Sequence, residues 1–371
     1  MAKKTTIIVT PPDTFITEAI RLVKSARLHI VKQTNSVMVF TCFQLGRLIF
    51  VQEQGGNIRA KYGKETIQKL SEKLTSEFGT GFSVDNLENM RRFYLAFQYK
   101  NALLNSEPLS RKSLKDQNRQ TSDESKSLLK SEPPARKSFA DVFPLSWTNY
   151  VIISRIENQD ERSFYEIEAA QGNWGKRELQ RQIDSGLFER LTLSKDKAKI
   201  KQLAAKGQII EKPEDVLKSP YILEFLGLEG KSSYSETDLE TAIINKIEHF
   251  LLEMGKGFLF NGRQVRFSFD EENFFVDLVL YNRLLQCFVL VDLKIGKLKH
   301  QDIGQMQMYV NYYDRYVKQE FEKPTIGIII CKDKSDAVVE ITMPKDNRQI
   351  FASQYKLYLP SKAALKKLVT E

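Results

Sequence analysis

Three polar residues inside an otherwise apolar stretch could do chemistry together. Asp277 stands within Phe274-Phe275-Val276-Asp277-Leu278-Val279-Leu280-Tyr281. Asp292 follows Cys287-Phe288-Val289-Leu290-Val291, and Lys294 lies two residues further on. Side chains alternate across a strand, so Asp292 and Lys294 share a face while Leu293 points the other way. Symmetric pairing about Leu284-Leu285 sets Asp277 across from Asp292. Two carboxylates side by side in an apolar hairpin are costly unless a cation joins them. Oxygen-rich sites of this kind suit Mg²⁺. An isolated acid such as Asp277 among four apolar neighbours needs a partner. Asp292 and Lys294 each have a plainer reading, as a strand end and a solvated turn lysine.

The elements around these residues form a recognisable order. Ser235-Glu236-Thr237-Asp238 has the spacing of a capping box. It opens a helix with Leu239, Ile243, Ile247, Phe250, Leu251 and Met254 as its apolar stripe, ended by Gly255 and Gly257. Strands are predicted at Val265–Phe269, Phe274–Tyr281 and Cys287–Leu293. A helix follows over Asp302–Tyr316, then a strand at Thr325–Cys331. Val338–Met343 and Ile350–Leu359 are candidates to extend the sheet, and Ala363–Leu368 reads as a short basic helix.

The first half reads as helical. Leu45, Leu48 and Ile49 fit one helical face, and Ile67, Leu70, Leu74 and Phe78 another. Gly79 and Gly81 break the pattern. Ser83 is placed to cap the next helix, with Asp85 in its first turn and Leu87, Met90, Tyr94 and Phe97 on its apolar side. Arg91 and Arg92 lie elsewhere on that helix. The pair of helices is compatible with helix-turn-helix DNA reading. A bundle turn with solvated arginines stands ahead of that reading. Residues 104–139 change to Ser, Lys, Glu, Gln, Asp and Pro, the composition of a weakly ordered tether. Beyond it, Asn173 is the expected cap of a helix with Leu179 and Ile183 inward and Lys176, Arg177, Arg181 and Gln182 outward. The domains drawn from this are a helical part over 13–103, a linker or insertion over 104–139, a second helical part over 140–218 and a last domain over 221–371.

Composition bounds the rest. The 371 residues suggest two or three domains. Apolar residues reach 42%, enough for real cores, and a net charge of +9 favours a polyanionic partner, nucleic acid first. Cys42, Cys287 and Cys331 are widely separated and form no CxxC pair, which points away from zinc or a disulfide framework and toward a reducing cytoplasm. His29, His249 and His300 are too dispersed for a ligand cluster. The apolar run Ile7-Ile8-Val9 is too short for a signal peptide, and no apolar run is read as approaching a membrane span.

Asp277…Asp292-Leu293-Lys294 within this order of elements resembles the PD-(D/E)XK nuclease superfamily. Glu240-Thr241-Ala242-Ile243-Ile244, the run Phe250 to Phe258, Gly262-Arg263-Gln264 and Gly304-Gln305-Met306…Tyr309 resemble its YhcG-type branch. The helical half resembles that branch at Tyr62-Gly63, Leu70-Ser71 and from Phe78-Gly79-Thr80-Gly81-Phe82-Ser83 to Met90-Arg91. The likeness covers nearly the whole chain apart from 104–139. Val276 stands where the superfamily's name has proline, and Asp292 where the branch often has glutamate; both positions leave the acidic chemistry intact.

The resemblance implies an α+β chain. Its N-terminal half is helical, helix-turn-helix or winged-helix-like. Its C-terminal domain is restriction-endonuclease-like, with a mixed central sheet. It implies a metal-dependent endodeoxyribonuclease, with Asp277, Asp292 and the Leu293 carbonyl holding Mg²⁺ or Mn²⁺. Lys294 would position hydroxide, Glu240 would be the additional acid, and Gln305 and Tyr309 would stand at the site's edge. Arg91, Arg92, Arg263, Gln264 and Lys297 are the candidates for nucleic-acid contact. DNA is the expected partner, with a homodimer and no membrane association. The alternative is a nucleic-acid-binding or assembly module on a silent nuclease fold.

Overall fold

The computed structural model describes residues 12–54, 60–101, 139–192, 197–229 and 233–361. The run at Ile7-Ile8-Val9, nearly all of the 104–139 tether and the expected helix at Ala363–Leu368 lie outside the described residues. The chain divides into two compact units, 1–162 and 163–371.

Described residues of the first unit fold into helices: α1 (Pro12–Gln54), α2 (Ala60–Phe78), α3 (Val84–Phe97), α4 (Phe139–Val142), α5 (Trp147–Ile153) and the start of α6 (Gln159–Gly172). No strand occurs among these described residues. Ser83 caps α3 by accepting the Asn86 N–H, as its position before an apolar-periodic run predicts. The glycines ahead of it take left-handed φ values, 83° at Gly79 and 110° at Gly81, which other L-residues resist. Helix α1 crosses α3 closely at Gly46, where a Cβ would meet the Met90 carbonyl. Phe43, Phe93, Phe97, Phe143 and Tyr150 pack around that crossing.

One expectation is corrected here. Thr34–Glu53 of α1 is a 20-residue stretch of mean hydropathy 1.3, long and apolar enough to cross a membrane by length and composition. A third of that stretch is buried, along a stripe that includes Val39, Cys42, Phe43 and Ile49.

The second unit continues through α6 with α7 (Lys176–Asp184), α8 (Leu187–Thr192), α9 (Lys197–Lys206), α10 (Glu236–Asn245), α11 (Ile247–Met254), α12 (His300–Tyr312) and α13 (Asp336–Thr342). Its strands are β1 (Tyr221–Ile222), β2 (Phe258–Phe269), β3 (Glu272–Asn282), β4 (Cys287–Lys297), β5 (Ile326–Asp333) and β6 (Ile350–Lys356). They form one sheet in the order β1-β6-β5-β4-β3-β2. The β2–β3 and β3–β4 pairs are antiparallel, and the rest are parallel. Helices α10 and α11 bury Leu239, Ile243, Phe250 and Met254 on one face, against Leu278, Leu280, Val289, Val291 and Leu293. Helix α12 buries Ile303, Met306, Tyr309 and Val310 on the other, against Val276, Val279, Leu290 and Ile329. Burial on both faces explains the unbroken apolar runs of β3, β4 and β5.

Four local expectations give way to packing. The helix opened by the Ser235 capping box does not run through to Met254, because Lys246 leaves helical geometry (φ −125°, ψ 32°) and separates α10 from α11. Val338–Met343 is no strand, since all but Met343 falls within α13; its β-branched residues follow tertiary context over propensity. Helix α7 is capped at Gly175, with Asn173 left-handed (φ 50°) two residues earlier. Arg181 and Gln182 point inward instead of outward. Arg181 reaches Glu224 and Glu253, and Gln182 is fully buried.

Candidate active site

Strands β3 and β4 pair symmetrically about Leu284-Leu285. The paired rungs run from Asn282↔Cys287 to Leu278↔Val291, and the next step in that register sets Asp277 against Asp292. The ladder ends there. In place of a backbone partner, the Leu293 N–H donates to Asp277 Oδ2 at 2.8 Å. Strand β4 meanwhile stays paired to β5 through Asp292↔Ile329 and Lys294↔Cys331. Leu290 packs toward α12 and Leu293 toward α10, so alternation carries Asp292 and Lys294 to the α12 side.

A kink shapes the other side of the site. Rungs Arg263↔Leu278 and Val265↔Val276 flank Gln264 and Asp277. Gln264 sits between them with φ 46°, a left-handed residue within a strand. Phe274 and Val276 pack toward α12, whereas Leu278 and Leu280 pack toward α10, so the alternation of β3 slips by one residue at Asp277. Irregular rungs of this kind re-aim side chains. Here the kink carries the Gln264 amide to two acids. Its Nε2 donates to Glu240 Oε2 at 2.6 Å and to Asp277 Oδ1 at 3.0 Å. Arg263 Nε lies 2.9 Å from Glu240 Oε1, and Lys294 Nζ lies 2.9 Å from Asp292 Oδ2.

The charges are strongly perturbed. Burial pushes both the Asp292 and the Asp277 carboxyl above their ordinary range. Lys294 opposes this at each, the Leu293 N–H and Gln264 also oppose it at Asp277, and Asp277 adds to it at Asp292. Burial alone would lower the Lys294 pKa, but Asp292 outweighs it and keeps the ammonium charged. On α12, Gln305 Nε2 donates to the Tyr309 hydroxyl at 2.7 Å. Burial, Asp292 and Asp277 push the Tyr309 phenol up to about 12, so it keeps a proton to donate.

The donor set fits a hard cation. Asp292 is 3% exposed and Glu240 4%. Asp292 Oδ2 and Glu240 Oε1 are held by charge at ion-pair distance but accept no aligned hydrogen bond. Buried carboxylate oxygens with open lone pairs are ligands for Mg²⁺-like ions or for their waters. Among the described residues no three His, Cys, Asp or Glu side chains converge into a closed metal cage. The arrangement is therefore an open pair of acids with a third acid linked through Gln264.

The structure thus brings together Asp277, Asp292, Lys294, Glu240, Arg263 and Gln264, with Gln305 and Tyr309 joined to each other on α12. Arg263 and Gln264, two of the candidates for nucleic-acid contact, are engaged with acids of the site. Lys297 is exposed near the end of β4. Arg91 pairs with Glu53 on α1, and Arg92 donates to Asn89 on its own helix. The bridging position of Gln264 carries no sequence signal, because it depends on a left-handed residue that glutamine type does not announce.

A twisted mixed sheet between helices, with two acids and a lysine on adjoining central strands, is the architecture of the PD-(D/E)XK nucleases. The description "YhcG PDDEXK nuclease domain" matches residues 214–370, and "DUF1016 N-terminal domain" matches residues 18–190. The chain is 38% identical over 350 residues to "Putative nuclease YhcG" of Escherichia coli (strain K12), spanning 93% of this chain and 90% of that one. It belongs to the family that joins these two domains, a family of nucleases. A repair endonuclease from Pyrococcus abyssi aligns with 35% of this chain and 50% of its own at 17% identity and a TM-score of 0.23, too low to support any argument.

Proposed function

We propose that the chain is a metal-dependent endonuclease hydrolysing phosphodiester bonds of DNA. Residues 221–371 form its hydrolytic part, and the helices of 13–103 and 140–218 bind or select the substrate. The observation that carries this reading is the union of Asp277, Asp292 and Lys294 at the point where the β3–β4 ladder ends. Asp277, Asp292 and the Leu293 carbonyl would hold Mg²⁺ or Mn²⁺. That ion would supply an acidified water and neutralise phosphate charge.

The chain's own groups do the remaining work. Lys294, kept cationic by Asp292, orients the attacking water or offsets charge developing on the phosphate. Gln264 fixes the angle between Asp277 and Glu240 by donating to both. Glu240 accepts from the water network, and Arg263 limits its charge. Gln305 orients the Tyr309 hydroxyl, whose retained proton faces the acids' field.

The test is a cleavage panel of linear, branched and single-stranded DNA with Mg²⁺, Mn²⁺ or chelator, run beside Lys294→Ala. Metal-dependent scission that the substitution removes supports the reading. Absence of cleavage with every substrate and metal, alongside salt-sensitive binding, would establish a silent nuclease fold instead.

A further inference from the structure

A groove of about 340 Å³ lies between the end of β2 and the outer side of α12, lined by Phe267, Phe269, Met308, Tyr312, Arg315 and Tyr316 among others. Two of its aromatics are costly to leave in water, Phe269 at 52% exposure and Tyr316 at 63%. The helix that carries Tyr316 is itself unusual. After Tyr312 it changes to a π turn over Tyr313–Val317, closed by the Lys318 N–H donating to the Tyr313 carbonyl at 2.9 Å. Such turns are rare and concentrate at functional sites. This one presents both Arg315 and Tyr316 to solvent at the groove.

A chain of packed rings links the groove to Tyr309 of the proposed site. Tyr309, bonded to Gln305, meets Phe267 edge-on at 5.5 Å between centroids. Phe267 stacks on Tyr312 at 4.1 Å and 23°. Tyr312 in turn meets Tyr316 at 5.2 Å. Gly304, beside Gln305, also lines the groove. The polar groups there are Arg315, Asn311 and Gln307, with no acid among the lining residues.

Exposed aromatic faces beside an arginine, with amides at the rim, match an unpaired nucleotide. A base stacks on the ring and a phosphate meets the guanidinium. A base pair inside a duplex presents no free face to such rings. Resting on the nuclease reading above, we propose that this groove holds an unpaired base of the substrate strand. The preferred substrates are then single strands or duplexes with unpaired ends or branches.

The experiment measures binding by full-length protein, in chelator, of fluorescent dT20, a 20-base-pair duplex, and dT20 with abasic positions. Phe269→Ala, Tyr316→Ala and Tyr316→Phe are compared with the parent. All three substitutions fall on exposed side chains, and circular dichroism checks each fold. We expect dT20 to bind more tightly than the duplex. We also expect Phe269→Ala and Tyr316→Ala each to weaken dT20 about tenfold, within the range for lost base stacking, and Tyr316→Phe to retain affinity. Abasic dT20 should bind weakly and lose little more on Tyr316→Ala. Equal affinity of parent and alanine variants for dT20, or tighter binding of the duplex, would overturn the proposal. Cleavage by the parent that Lys294→Ala abolishes would leave the nuclease reading standing in that case. Conversely, stacking losses in a protein that never cleaves would sink the nuclease reading alone.

Discussion

Asp277 accepts the Leu293 backbone N–H at 2.8 Å, one rung beyond the last backbone pairing of β3 with β4. An acid of the proposed hydrolytic centre thus doubles as the closing hydrogen-bond acceptor of the central hairpin. Asp277→Asn and Asp277→Ala are expected to abolish cleavage alike but to differ in stability. The asparagine oxygen can still accept from Leu293, whereas alanine leaves a buried N–H unpaired, at about 1–3 kcal/mol. Burial holds the Asp277 pKa above its ordinary value, so its charge opposes folding at neutral pH. Asp277→Asn, which sheds that charge but gives up the Gln264 hydrogen bond, should melt above Asp277→Ala in chelator. Identical urea midpoints for the two variants would contradict this role.

Gln264 holds two acids with one amide. Gln264→Glu would set a third carboxylate at hydrogen-bond distance from Glu240 and Asp277, where like charges repel and one must protonate. The variant is expected to lose more than about 1 kcal/mol in chelator and to recover part of it when Mg²⁺ is added. Paired thermal melts read both effects. A variant as stable as the parent, with no gain from Mg²⁺, would contradict the shared site.

The hairpin, its turn and its register were legible because apolar runs buried on both faces leave one acid per strand as punctuation. The Ser235 capping box and the Ser83 cap were legible for a similar reason, since both act over three residues. What failed to show were features set by distant partners. Lys246 breaks a helix whose apolar stripe continues past it. Asp336–Thr342 forms a helix despite its β-branched residues. Arg181 and Gln182 turn inward because Glu224 and Glu253, and the core beneath α7, are brought to them by the fold. The kink at Gln264 belongs with these, as does the groove built from Phe269 and Tyr316, residues nearly fifty apart in the chain.

Glu253 is buried with Arg190 at 2.6 Å and Arg181 at 3.3 Å, and Lys218 donates to its backbone carbonyl. Burial alone would raise its pKa, but Arg190, Lys218 and Arg181 outweigh burial and bring it down to about 2. The folded value lies below the ordinary glutamate value of about 4.3. The unfolded chain therefore binds the proton first, and this stabilisation is complete above about pH 4.3 and fades as pH falls toward 2. Arg190→Met leaves a buried charge short of its closest partner and should cost about 3–5 kcal/mol at neutral pH. Urea titrations from pH 2 to 7 should show a shallower acid limb in Glu253→Gln. An unchanged limb would contradict the assignment.

Gly46 sits where α1 meets α3, with the Met90 carbonyl in the space a Cβ would fill. Gly46→Ala must push the two helices apart and should destabilise the first unit by at least about 1–3 kcal/mol. A melt that follows this unit would register the loss. Unaltered stability would mean that the helices do not approach so closely.

The central claim is that Asp277, Asp292 and Lys294 form one hydrolytic centre. Its most direct test is single-turnover cleavage of DNA in Mg²⁺ by the parent and by Asp292→Asn, a change that keeps side-chain size and removes charge. The account predicts that the variant folds as the parent does by circular dichroism and loses cleavage by about a hundredfold or more. Cleavage by Asp292→Asn at the parent's rate would contradict it.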